Sequence, residues 1–87
     1  MTTKESAKML KAMANPKRLE ILYLLSAKEM NVGNLQQEVK LTQSALSQHL
    51  AVLRKANLLL NRRQAQSIFY KANNKIVKKF LKLLKED

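Results

Sequence analysis

Only about two residues separate a first amphipathic pattern from the next. In the first, Val32, Leu35 and Val39 mark a single face up to about Lys40; in the second, Leu46, Leu50 and Leu53 line one side as far as about Lys55. Thr42 stands where the second pattern needs an N-cap. A link this short leaves two helices little choice of relative orientation, so residues 32–55 are expected to form a helix-turn-helix.

The flanking segments set its surroundings. Ala7, Met9, Leu10, Met13 and Ala14 recur at helical spacing while Lys4, Glu5, Lys8 and Lys11 fall mostly elsewhere, which predicts a first helix over 3–14. Asn15-Pro16 combines a cap with the residue best tolerated at a first helical position. A second helix starts there, and Leu19, Ile21, Leu22, Leu24 and Leu25 make it the most buried one. Residues 26–31 read as a polar connection.

After Asn57, Leu58-Leu59-Leu60-Asn61-Arg62-Arg63 and Gln66-Ser67-Ile68-Phe69-Tyr70-Lys71 suit two short strands, a hairpin over 58–71. Gln64-Ala65 at its turn lacks the Asn or Gly that a two-residue hairpin favours, and the chain's only glycine is Gly33, so a longer turn is expected. Asn73-Asn74 caps a last helix whose Ile76, Val77, Phe80, Leu81 and Leu84 form an apolar stripe opposite Lys75, Lys78, Lys79, Lys82 and Lys85. The hairpin separates this helix from the central ones. Its stripe is therefore expected to pair with a second copy, aided by Met9, Leu10 and Met13, with 1–14 and 74–87 as dimerisation segments.

Eighty-seven residues suit one domain, 1–87, mostly α with a small β-hairpin, in the order α-α-α-α-β-β-α. A chain this short buries only roughly 60 to 65% of its unfolded surface, which also favours a homodimer. Seventeen Lys and Arg against six acids leave a charge of +11, for which a polyanion is the natural partner. With no Cys, disulfides and thiolate metal sites are excluded. Neither a run of roughly 20 apolar residues nor a signal-peptide core is present, so a cytoplasmic protein without a membrane partner is expected. No Ser-His-acid set or Gly-rich phosphate loop can be assembled, so neither an enzyme nor a cofactor is expected.

At 100° per residue, Ser44, Ser47, Gln48, Ala51, Arg54 and Lys55 gather opposite Leu46, Leu50 and Leu53. Such a face is small enough to enter a major groove; Ser and Gln bond base edges, and Arg54 and Lys55 reach phosphates. Arg62 and Arg63 near the hairpin tip, with Lys71 behind, would act as a basic wing. His49, the only histidine, borders the apolar side and suits a partly buried tie to the core or to a phosphate better than a metal ligand or a base.

The run Leu41-Thr42-Gln43-Ser44-Ala45-Leu46-Ser47-Gln48-His49-Leu50-Ala51-Val52-Leu53-Arg54-Lys55-Ala56-Asn57-Leu58 closely resembles the recognition-helix signature of ArsR-type repressors. Leu10-Lys11-Ala12-Met13-Ala14-Asn15-Pro16-Lys17-Arg18-Leu19-Glu20-Ile21-Leu22 is similar to that family's opening. The resemblance implies a winged helix-turn-helix homodimer built on the first and last helices, reading operator DNA through Gln43, Ser44, Ser47 and Gln48. It also implies a wing at Arg62-Arg63-Gln64-Ala65-Gln66, with Ala65 where a glycine is usual. Metal-sensing relatives would carry Cys at the positions of Asn31 and Gly33, or His and carboxylates on the last helix, where residues 76–87 hold no His and only Glu86 and Asp87 as acids. No metal site is expected.

The expectation is thus a sequence-specific regulator, a repressor on an imperfect palindrome of double-stranded DNA, with two recognition helices about 34 Å apart. Its expected contacts are Gln43, Ser44, Ser47, Gln48, His49, Arg54, Lys55, Arg62 and Arg63. The sequence declares no inducer. The rival expectation is a basic module that coats nucleic acid, or docks a protein, without sequence readout.

Overall fold

A computed structural model describes residues 1–84. Each helix from the first to the fourth starts where the sequence supplies a cap. Thr2 and Glu5 form a reciprocal capping box at α1 (Thr3–Met13), with Glu5 N–H on Thr2 Oγ1 at 3.0 Å and Thr2 N–H on Glu5 Oε1 at 2.8 Å. Asn15 caps α2 (Pro16–Ala27), Asn31 caps α3 (Val32–Val39) and Thr42 caps α4 (Gln43–Lys55), each through its side-chain oxygen. Lys40, at φ 56°, ends α3 in the left-handed region, which turns the chain sharply enough for α4 to begin three residues later.

The strands β1 (Met30–Asn31), β2 (Leu59–Gln64) and β3 (Ser67–Ala72) form one antiparallel sheet in the order β1-β3-β2. Helix α5 (Val77–Leu84) closes the described chain. The core gathers Ile21, Leu22 and Leu25 of α2, Leu35 and Val39 of α3, Leu46 and Leu53 of α4, Leu58 and Val77, with no polar side chain buried among the described residues.

Three expectations change. Residues 26–31 are more than a connection: α2 continues to Ala27, and Met30 and Asn31 pair with Tyr70 and Phe69 as a third strand. Two residues carry too little periodicity to announce a strand, and only the hairpin's free edge makes one of them. The hairpin turn is also not lengthened. Gln64 pairs with Ser67, so Ala65-Gln66 is a two-residue turn, and Ala65 takes φ 55° without being glycine.

The third change concerns the helix ends. Met9, Met13, Val77 and Leu81 lie in the chain's own core, at most 5% exposed, and so do not offer a face to a second copy. The chain returns because Asn73 N–H donates to Leu58 O at 2.9 Å and its side-chain amide to Asn57 O at 3.0 Å, which pins the end of β3 to the end of α4. Helix α5 therefore starts beside α2 and packs on it. What stays outside is Leu10 (51% exposed), Leu83 (82%) and Leu84 (55%), with Ile76 and Phe80 half-buried. Lys85, Glu86 and Asp87, at the end of the expected last helix, lie outside the described residues.

Candidate nucleic-acid interface

Helix α4 buries Leu46, Leu50 and Leu53 and leaves Gln43, Ser44, Ser47, Gln48, Arg54 and Lys55 exposed. A groove runs along one flank, between α4 and the wing, where Gln43, Ser47 and Arg54 face Gln66, Ser67 and Tyr70. Tyr70 was not among the expected site residues. Its ring is buried while its hydroxyl accepts from Arg54 Nη1 at 3.4 Å, which joins the C-terminal half of α4 to the strand that carries the wing. Its alternation with Ile68 and Ala72 along β3 was the available signal.

The two wing arginines separate. Arg62 lies opposite Phe69 and Arg63 opposite Ile68, so they occupy opposite faces of the hairpin. Arg62 is engaged within the chain. Its guanidinium makes a two-pronged ion pair with Glu29, at 2.8 Å and 2.7 Å, donates to Gln64 Oε1 at 2.6 Å, and lies 4.8 Å from the centre of the Phe69 ring. The hydrogen bonding from Arg62 holds the Glu29 carboxyl below its ordinary range. The sequence could show a basic residue near a tip, but not that an acid 33 residues upstream would claim it. Arg63 is exposed and shares its sheet face with Ile68 and Tyr70, the face that lines the groove.

His49 ties α4 to the rest of the chain. Arg18 of α2 donates to Ala12 O at the end of α1 from Nε, at 2.6 Å, and reaches His49 Nδ1 from Nη1 at 3.2 Å. A guanidinium can only donate, so Nδ1 accepts and the imidazole proton sits on Nε2. Burial, and then the charge of Arg18, push the His49 pKa down from its ordinary value, which keeps the ring neutral at pH 7. Arg18 was missed because, in sequence, it is one more cation in a basic chain.

The positions that would carry thiolates are otherwise employed. Asn31 pairs with Phe69 and caps α3 by accepting from Asn34 N–H at 2.8 Å, so one residue joins the wing to the first helix of the helix-turn-helix. Gly33 borders the same groove. Among the described residues no three His, Cys, Asp or Glu side chains come together as a metal-holding group. Among them, too, no helix is long and apolar enough to cross a membrane.

A short tight turn, a polar exposed second helix and a three-stranded sheet carrying a hairpin beside it together describe a winged helix-turn-helix. Residues 15–59 match the model of the bacterial regulatory protein ArsR family. The chain belongs to the ArsR family. It is a transcriptional regulator built on a DNA-binding fold, not an enzyme.

Two relatives place it further. The transcriptional activator HlyU of Vibrio cholerae is 49% identical over 84 residues, covering 93% of this chain and 78% of its own. The nodulation protein NolR of Rhizobium meliloti is 52% identical over 81 residues, which cover 93% of this chain and 66% of NolR. The crystal structure of NolR from Sinorhizobium fredii superposes with a TM-score of 0.88 at 52% identity, over 93% of this chain and 81% of that one. The solution structure of Mb0332 from Mycobacterium bovis, a homodimeric winged helix-turn-helix DNA-binding domain, gives 0.86 at 27% identity over 93% and 75%.

Proposed function

We propose that the protein binds an imperfect palindrome of duplex DNA as a homodimer and represses by occluding the promoter that holds it. The observation that carries this reading is the exposed polar face of α4. Gln43, Ser44, Ser47 and Gln48 reach base edges in the major groove, Arg54 and Lys55 meet phosphates, and Arg63 holds the flanking backbone from the wing. Dimerisation is supported by apolar surface that one chain leaves open at Leu10, Leu83 and Leu84, edged by Ile76 and Phe80, and by the homodimeric state of Mb0332. It acts in the cytoplasm, and metals do not gate it through positions 31 and 33, where Asn31 serves as cap and strand residue.

Selection of bound sequences from a random duplex pool tests the reading, followed by titration of the winner and a scrambled control at about 0.15 M salt. A palindromic winner preferred by about a thousandfold is expected. Equal binding of both duplexes refutes sequence readout and leaves a general nucleic-acid coat. A reporter driven by a promoter containing the winner should fall when the protein is expressed, and zinc or a chelator should leave binding unchanged.

A further inference from the structure

The wing covers only one flank of α4. A B-DNA major groove is about 12 Å wide and a helix with side chains nearly fills it, so a recognition helix lies between two rows of phosphates. On the wing flank the groove is lined by Gln66 and Ser67 opposite Arg54. Val52 comes two residues before Arg54, about 200° of helical turn away, and points to the other flank. There it floors a shallow hollow with Ala12, rimmed by Lys8, Lys11, Arg18 and Lys55.

Four cations from three helices surround this hollow, and among the described residues no acid lines it. Arg18 is committed to Ala12 O and His49. Lys8, Lys11 and Lys55 are exposed and make no ion pair among the described residues. Glu5 borders a neighbouring depression with Lys8 and Lys55, but its carboxylate is held by Thr2 N–H in the capping box. Lys8 and Lys11 lie three residues apart on one side of α1, well round the helix from Leu10 and the apolar surface offered to a second copy.

We propose that Lys8 and Lys11 of α1, together with Lys55, are a second phosphate-backbone contact, gripping the strand on the side of the recognition helix that the wing does not reach. The inference rests on the reading that α4 enters duplex DNA. Three ammonium groups over an apolar floor suit a run of phosphates whose deoxyribose faces lie on Val52. Long flexible lysines carry no base preference, so this contact adds affinity without selectivity.

The test compares Lys8→Gln/Lys11→Gln with a control of equal charge change, Lys78→Gln/Lys82→Gln on α5, in the full chain on operator and scrambled duplexes between about 50 and 200 mM salt. Each lost phosphate contact lowers the log–log salt slope by about 0.9, so two lysines in each of two subunits lower it by about 3.6. The affinity ratio between about 50 and 200 mM salt should shrink by about a hundredfold on both duplexes, with dimerisation and melting unchanged and the control near wild type. An unchanged slope overturns the proposal, and so does an equal fall in the control, which would assign the effect to net charge. Failure of the wild type to prefer any duplex would instead overturn the reading of α4 on which it rests.

Discussion

Replacing Ala65 by glycine should make this protein more stable. Ala65 is exposed at the wing tip, the first of two turn residues, and holds φ 55°, where its Cβ crowds the following carbonyl. That conformation costs an L-residue roughly 1–2 kcal/mol, and glycine adopts it freely. Against this, glycine gives the unfolded chain more freedom, worth roughly 0.5–1 kcal/mol. Little packing is lost, because the residue is exposed. The net gain is about 0.5–1 kcal/mol, a rise of about 2–8 °C in Tm for a domain of this size. Urea unfolding at fixed protein concentration, needed because dimerisation shifts the midpoint, should show a higher midpoint with the same denaturant slope. A lower midpoint would refute the strain argument, and Ala65→Val should move the other way because a β-branched side chain is worse still at this φ.

Gln48→Ala should cost the selected operator about 1–3 kcal/mol and a scrambled duplex little; equal losses in a titration of both would remove Gln48 from base readout. Arg62→Ala and Glu29→Gln should each loosen the hairpin, seen as faster hydrogen exchange in β2 and β3, and the double variant should be no worse than either single one. Additive effects would show that the two side chains act separately. Because the Glu29 pKa lies below its ordinary value, this ion pair is fully formed at neutral pH and is lost as the pH falls through that lowered value.

His49 works in the opposite charge sense. Its lowered pKa means that the unfolded chain takes up a proton first, so its share of stability is intact above about pH 6.5 and declines as acidification proceeds towards the folded value. His49→Gln should flatten that region of a stability–pH profile recorded between about pH 7 and 5, and an unchanged profile would remove His49 as its source.

Most of the helical layout is legible because it is local. Caps at Asn15 and Thr42 and apolar residues every three or four positions act within a few residues of chain, so the helix-turn-helix and the exposed face of α4 can be read before any fold is known. The hairpin is legible for the same reason, although its turn sits one residue later than the composition suggested.

Long-range partners are not written in local patterns. What a basic residue meets depends on what the fold sets beside it, and tertiary structure alone paired Arg62 with Glu29 while leaving Arg63 on the groove side. The strand at Met30 and Asn31 exists because β3 has a free edge there. The same holds for Val77 and Leu81, which an amphipathic stripe marks as buried without saying against what. Sequence by itself determined where α1 to α4 begin, which face of each is apolar, and which chemistry α4 exposes, since hydrogen-bonding caps and 3.6-residue periodicity are properties of neighbouring residues. It did not place the start of α5, because the side chains of Asn73 and Asn74, expected as its cap, donate instead to Asn57 O and Ser26 O. Only the tertiary structure decided which charges are spent within the chain and which remain for a partner, because that depends on distances between groups far apart in the chain.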